Sequence, residues 1–111
     1  MATVYNLAID QGSDFTTTIQ INDDTGSDRN IVGYIARGQM KRSYGSVSNV
    51  QFNCNVTNST TGEVSISLTN AITANLKYGR YVYDIELKEV ASGNVERILE
   101  GIVTVYPEVT K

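Results

Sequence analysis

The sequence predicts an all-β protein of about seven strands with one short helical turn, a β-sandwich or small barrel, and of these an immunoglobulin-like antiparallel β-sandwich is the first reading, a single domain over residues 1–111. Three observations carry this. Apolar residues recur at every second position through most of the chain, the period of a strand with one buried face. Turn residues separate those runs at short spacing. The repeated helical patterns of roughly 10–15 residues that an α/β chain needs are absent.

The elements follow in order. Thr3 to Ile9 is a first short strand, closed by the turn chemistry of Asp10-Gln11-Gly12-Ser13. Phe15, Thr17, Ile19 and Ile21 then alternate with Thr16, Thr18 and Gln20, and the β-branched members suit a pleated sheet. Asn22 to Asn30 is turn composition around Gly26. A third strand runs from Ile31 to about Lys41, with Val32, Tyr34, Ala36, Gly38 and Met40 inward. Ser43 to Asn49 is a loop around Tyr44.

Val50, Phe52, Cys54 and Val56 form the cleanest alternation in the chain, and Val64, Ile66 and Leu68 form its hairpin partner across Asn58–Gly62. Thr69 or Asn70 caps a helical turn carrying Ala71, Ile72, Ala74 and Leu76, with Gly79 as its stop. The next strand runs from Arg80 to Val90, with Tyr81, Tyr83, Ile85 and Leu87 inward and Val82, Asp84, Glu86 and Lys88 outward. After the turn Ala91–Asn94, the last strand runs from Val95 to Tyr106 and ends at Pro107, which cannot donate to a ladder. The expected core is Phe15, Ile19, Phe52, Cys54, Val56, Val64, Ile66, Leu68, Tyr83, Ile85 and Leu87.

Composition narrows the function. The chain is 41% hydrophobic and 19% charged, which separates it from disordered tails. No apolar run approaches the ~20 residues of a membrane-spanning helix, and the start lacks the basic and apolar regions of a signal peptide. There is no His, which removes His-based triads and His metal sites, and the single Cys removes a disulfide framework. A net charge of −3 speaks against a nucleic-acid partner. The expectation is a protein that is not an enzyme, with no cofactor, no nucleic acid and no membrane.

Four groups of residues are weighed as sites. Asp10, Asp14, Asp23, Asp24 and Asp28 crowd the first third of the chain, but the run lacks EF-hand spacing and reads as a hydrated hairpin loop. Asp84, Glu86, Glu96 and Glu100 are carboxylates of the kind a glycosidase pairs; their outward parity, with Arg80, Lys88 and Arg97 nearby, reads as a solvated sheet face. Arg37, Lys41 and Arg42 are a basic strand end. Tyr44 and Tyr78 sit in loops and are the candidate surface contacts, because tyrosine is both apolar and hydrogen-bonding. The glycosylation patterns at Asn55 and Asn58 read as chance matches, and Cys54 as a small buried hydrophobe.

The last strand alternates poorly. Val95, Arg97, Leu99, Gly101, Val103 and Val105 are mostly apolar, and so is half of the opposite parity. This predicts that an outer face of Val82, Ile98, Ile102 and Tyr106 is covered by another subunit, a homo-oligomer or a neighbouring protein serving equally. Gly101 in mid-strand marks a bulge or a close backbone approach.

The second half contains Leu68-Thr69, then Ile72-Thr73-Ala74-Asn75-Leu76-Lys77-Tyr78-Gly79-Arg80-Tyr81-Val82-Tyr83-Asp84-Ile85-Glu86-Leu87, then Arg97-Ile98-Leu99-Glu100-Gly101-Ile102-Val103-Thr104-Val105 and Pro107-Glu108-Val109-Thr110. This string resembles the ending of small virion-associated proteins of tailed bacteriophages, especially T4-like phages of cyanobacteria. Tyr5 to Gly12 and Val32 to Arg37 fit as well, so the resemblance covers nearly the whole chain. More distantly, the chain is similar to the N-terminal domain of phage upper-baseplate proteins, an all-β module that anchors receptor-binding machinery. The resemblance implies a structural role in the virion after synthesis in the host bacterial cytoplasm, with other virion proteins of baseplate, tail, fibre or capsid as partners. It carries over no catalytic residue. The compact length leads to the expectation that any fibre or receptor-binding domain belongs to another chain. The competing readings are a carbohydrate- or host-surface-binding sandwich using Tyr44, Tyr78 and the Asp-rich loop, and a small hydrolase resting on the outward carboxylates.

Overall fold

Alternating apolar residues at Leu7–Ile9, Phe15–Ile21, Val64–Leu68 and Tyr81–Leu87 turn to one side of their strands, and burying that side organises the fold. The computed structural model describes residues 3–23, 25–43, 45 and 49–109. Its strands are β1 (Thr3–Val4), β2 (Leu7–Asp10), β3 (Phe15–Gln20), β4 (Tyr34–Lys41), β5 (Val50–Gln51), β6 (Asn53–Asn58), β7 (Glu63–Leu68), β8 (Gly79–Glu89) and β9 (Val95–Tyr106), with one helical turn, α1 (Asn70–Thr73).

The first sheet runs β1-β9-β8-β4-β5, with β2 also on β9, and the second runs β3-β7-β6. In the immunoglobulin arrangement, β9, β8 and β4 take the places of strands G, F and C, and β3, β7 and β6 those of B, E and D. A tyrosine corner accompanies this order. Tyr81, near the start of β8, donates its hydroxyl to the Lys77 carbonyl at 2.7 Å, across the corner that leads in from β7. The fold is therefore an immunoglobulin-like β-sandwich. Tyr81→Phe is expected to lower stability by about 1 kcal/mol, the usual net worth of such a bond, read as a lower urea midpoint at unchanged slope.

Side chains of both sheets meet in one continuous interior. Ile9, Met40, Ile66, Leu68, Ile85 and Val103 are fully buried in its larger part, and Ile31, Val64 and Leu87 in its smaller part. Phe15, Cys54 and Val56 are only partly buried against it. Phe52 lies edge-on to Tyr83, with centroids 6.0 Å apart, and 6.4 Å from Phe15.

Five expectations are corrected. The first strand is two pieces, and both run parallel to β9, so the sandwich is not wholly antiparallel. Residues 50–56 are not one strand: β5 pairs with β4 in the first sheet and β6 with β7 in the second, and the chain changes sheets at Phe52. The third strand begins at Tyr34, because a turn through Gly33 at φ 88° precedes it; that turn buries Ile31 and leaves Val32 61% exposed. The helical turn ends at Thr73, buries Thr73 and is followed by buried Leu76, while Ile72 is exposed. Gly79 does not stop it but opens β8.

The fifth correction concerns β9. Its register against β8 shifts by one residue, since Ile85 faces Leu99 while Glu86 faces Arg97. Ile98 is the extra residue of this bulge. It turns inward beside Leu99 and packs against both parts of the core. It is not on the outer face with Ile102.

Candidate functional site

The outer face of the first sheet is built from the alternate residues of β4, β8 and β9 that the core does not use, and most of them are charged. Arg37 Nε donates to Glu86 at 3.0 Å, Arg97 lies 3.4 Å from Asp84 and 3.6 Å from Glu100, and Asp84 is the cross-strand partner of Glu100. The Asp84 carboxyl is pushed up, first by burial and then by Glu86 and Glu100, with Arg97 and Lys41 opposing. Three of the four carboxylates considered for hydrolysis, Asp84, Glu86 and Glu100, thus stand in an ion-pair ladder, and Glu96 pairs elsewhere with Arg29. Arg42 leaves the basic strand end to cross over the Tyr81 ring, 4.7 Å from its centroid, and donates to the carbonyls of Arg80 and Tyr78.

Of the outer-face candidates, Val82 and Ile102 are cross-strand partners and form a small apolar island beside Lys41. Tyr106 lies farther along, level with Asp10, and is 51% exposed. Ile98 is the residue the bulge removes from this group. The close backbone approach expected at Gly101 is present, because a Cβ there would run into the Tyr5 carbonyl. Tyr78 is exposed on the rim of a cleft shared with Gln11, Arg42 and Glu108. Tyr44 and Asp24 lie outside the described residues.

Two carboxylates of the Asp-rich group, Asp23 and Asp14, are engaged in hydrogen bonds. Asp23 accepts from the amides of Thr25 and Ser27 and from the Thr25 hydroxyl, which lowers its pKa. Asp14 accepts the Asn70 N–H at 2.8 Å and so caps α1, whose capping residue Thr69 makes no side-chain bond. Arg29 binds Glu96 through two bonds of 2.8 and 2.9 Å and stacks 5.6 Å from the Tyr34 ring centre. The Arg29 hydrogen bond holds the Glu96 carboxyl below its ordinary value of 4.5. A depressed carboxylate stabilises the fold above that value and ceases to do so as pH falls through the lower folded value. Glu96→Gln is expected to remove this step from the acid limb of a stability–pH curve, at a cost of about 0.5 kcal/mol at neutral pH for so exposed a pair.

Backbone groups make a more distinctive feature. Phe52 N–H donates to the Gly38 carbonyl at 3.0 Å, the last bond of the β4–β5 pairing. Beyond it the chain passes to the other sheet, and the edges of β4 and β6 diverge. The parity of that bond turns the N–H and C=O of Ala36 toward the opening from one side. The β6–β7 register turns those of Cys54 and Val56 toward it from the other. The resulting cleft has a volume of about 430 Å3 and is lined by Ala36, Gly38, Phe52, Cys54 and Glu86, among others. Burial pushes the Cys54 thiol up to about 11. Periodicity did not point to this cleft. Alternation marks which face of a strand is buried, whereas an open edge depends on which strands become neighbours.

No family model matches the chain, and no curated protein matches it. Among solved structures it is similar to InlP of Listeria monocytogenes, at 17% identity and a TM-score of 0.50 over 95% of this chain and 28% of that one. It is also similar to the Lin-41 filamin domain, at 16% identity and a TM-score of 0.44 over 82% of this chain and 81% of that one. The chain spans little more than a quarter of the Listeria chain, and the likeness is one of fold.

Proposed function

We propose that this chain is a non-enzymatic structural module of a bacteriophage particle, an immunoglobulin-like sandwich that holds other virion proteins by accepting an extended segment. The observation that carries the binding mode is the cleft beyond Phe52, where two strand edges with unspent backbone groups face each other. A peptide laid there gains main-chain hydrogen bonds from β4 or β6 and meets a mostly polar lining that includes Arg37, Asn53 and Glu86, with Phe52 beneath. The phage assignment rests on the sequence resemblance in Leu68–Thr110. Val82 and Ile102 supply a second, smaller contact on the ion-pair ladder.

The test is incorporation into particles. Mass spectrometry of purified virions, with immunogold labelling, is expected to find the chain in the particle. Ala36→Pro removes an N–H that faces the cleft and is expected to fold yet incorporate poorly. Absence of the wild-type chain from particles would overturn the virion assignment. Normal incorporation of the folded Ala36→Pro variant would overturn the binding mode alone. Glycan binding that depends on Tyr78 would favour the carbohydrate reading.

A further inference from the structure

Sheet edges invite pairing with foreign strands, and proteins guard them with short strands, bulges, charges or proline. Here β1 and β5 are two residues long and β2 is four. The β6 edge carries a register shift between Val56 and Asn58. The free part of β4 is recessed in the cleft opposite β6. In β3 shortness, bulge, charge and proline are all absent, and only its Ile19–Gln20 end borders a cleft, shared with Thr3 and Leu99. Its six residues pair with β7 without a register shift, and Phe15 to Ile21 contains no charge, proline or glycine.

The direction of the open groups follows from one bond. Ile21 N–H donates to the Gly62 carbonyl on the β7 side, so Phe15, Thr17 and Ile19 also spend their backbone groups toward β7. Thr16, Thr18 and Gln20 therefore direct theirs away from the sheet, and all three residues are exposed.

We infer that β3 pairs antiparallel with β3 of a second copy of this chain, about a two-fold axis at Thr18. The segment is self-complementary about that point, as a two-fold interface requires. Thr18 faces its own counterpart, and Thr16 faces Gln20. On the core side Thr17 faces Ile19 and Phe15 faces Ile21. The flanking acids meet neutral residues, Asp14 facing Asn22 and Asp23 facing Ser13, so no like charges oppose one another. The three outward residues of each copy form about six main-chain hydrogen bonds. The product is one continuous sheet, β6-β7-β3 joined to its symmetry copy. It leaves both the β4–β6 cleft and the ladder of the first sheet uncovered, so it does not depend on the proposed virion role.

Sedimentation of the isolated chain over micromolar to millimolar concentration tests this, together with amide hydrogen exchange. The expected result is a mass rising to that of two chains. The Thr16, Thr18 and Gln20 amides are expected to become protected only in concentrated solution. Thr18→Pro removes a solvent-facing N–H, which an edge strand tolerates, and is expected to stay at one-chain mass with an unchanged circular dichroism spectrum. If that variant does not fold, Thr18→Lys, an outward substitution that sets two ammonium groups across the axis, carries the test to the same expected result. A wild-type chain that keeps one-chain mass at millimolar concentration overturns the inference. So does a folded Thr18 variant that still dimerises, or a dimer abolished by Ile102→Glu and kept by Thr18→Pro.

Discussion

Truncating Phe52 to alanine is expected to lower stability by about 3–5 kcal/mol, a large part of the roughly 5–15 kcal/mol that a domain has in total. The ring is only 6% exposed and lies edge-on to Tyr83. Its position raises the cost. The residue sits between β5 and β6, where the chain leaves one sheet for the other, and the backbone around it is tied by the bond to Gly38. Neighbouring strands therefore cannot close over the gap without disturbing both sheets. Urea denaturation followed by circular dichroism reads the effect, and an unchanged midpoint would mean that the ring does not occupy the interior.

A pair of glutamate substitutions gives the second large effect. Ile98→Glu is expected to cost about 1–3 kcal/mol, because the bulge turns this partly buried side chain onto both parts of the core and a carboxylate there gives up apolar contacts and part of its hydration. Ile102→Glu, four residues later on the same strand, is expected to change stability by no more than about 0.5 kcal/mol, since its side chain is 40% exposed. Regular alternation would place the two residues on one face and give them similar costs. The contrast, measured on the separate single variants, tests the bulge itself.

Period-two alternation located β3, β7 and β8 with their inward residues, and the β6–β7 hairpin with its facing, because each of those strands turns one side toward the core, fully buried along β7 and partly along β3 and β6. It failed where the backbone departs from a regular strand. The positive φ of Gly33 exchanges the roles of Ile31 and Val32, and the extra residue at Ile98 reverses parity within β9. A trace of the second departure was present in the adjacent apolar pair Ile98-Leu99, which alternation alone cannot accommodate. Phe52 kept its inward parity across the change of sheet, so nothing in its pattern disclosed that change. The strand edges lay out of reach for a different reason. Whether Thr18 or Cys54 has spare backbone groups is decided by long-range neighbours, although the uncharged run Phe15–Ile21 did carry a compositional signal. The resemblance to phage virion proteins suggested a partner class but no particular surface.

The parallel pairing of β1 and β2 with β9 also sets the order in which the molecule is made. Leu7 and Ile9 are buried beside Val103 and Val105, which leave the ribosome last among the core residues. Until then the opening segment has no ladder to join, and its apolar side chains stay in water. Bringing together chain positions roughly a hundred residues apart costs about 4 kcal/mol in loop entropy, with no local contact to offset it. The β6–β7 and β8–β9 hairpins are expected to precede that closure and Leu7 to Asp10 to dock late, which φ-values near zero at Leu7 and Ile9 would show. Contacts of such high sequence separation place folding on the millisecond-to-second scale, and a nascent chain halted before Val103 remains open to proteases at its beginning.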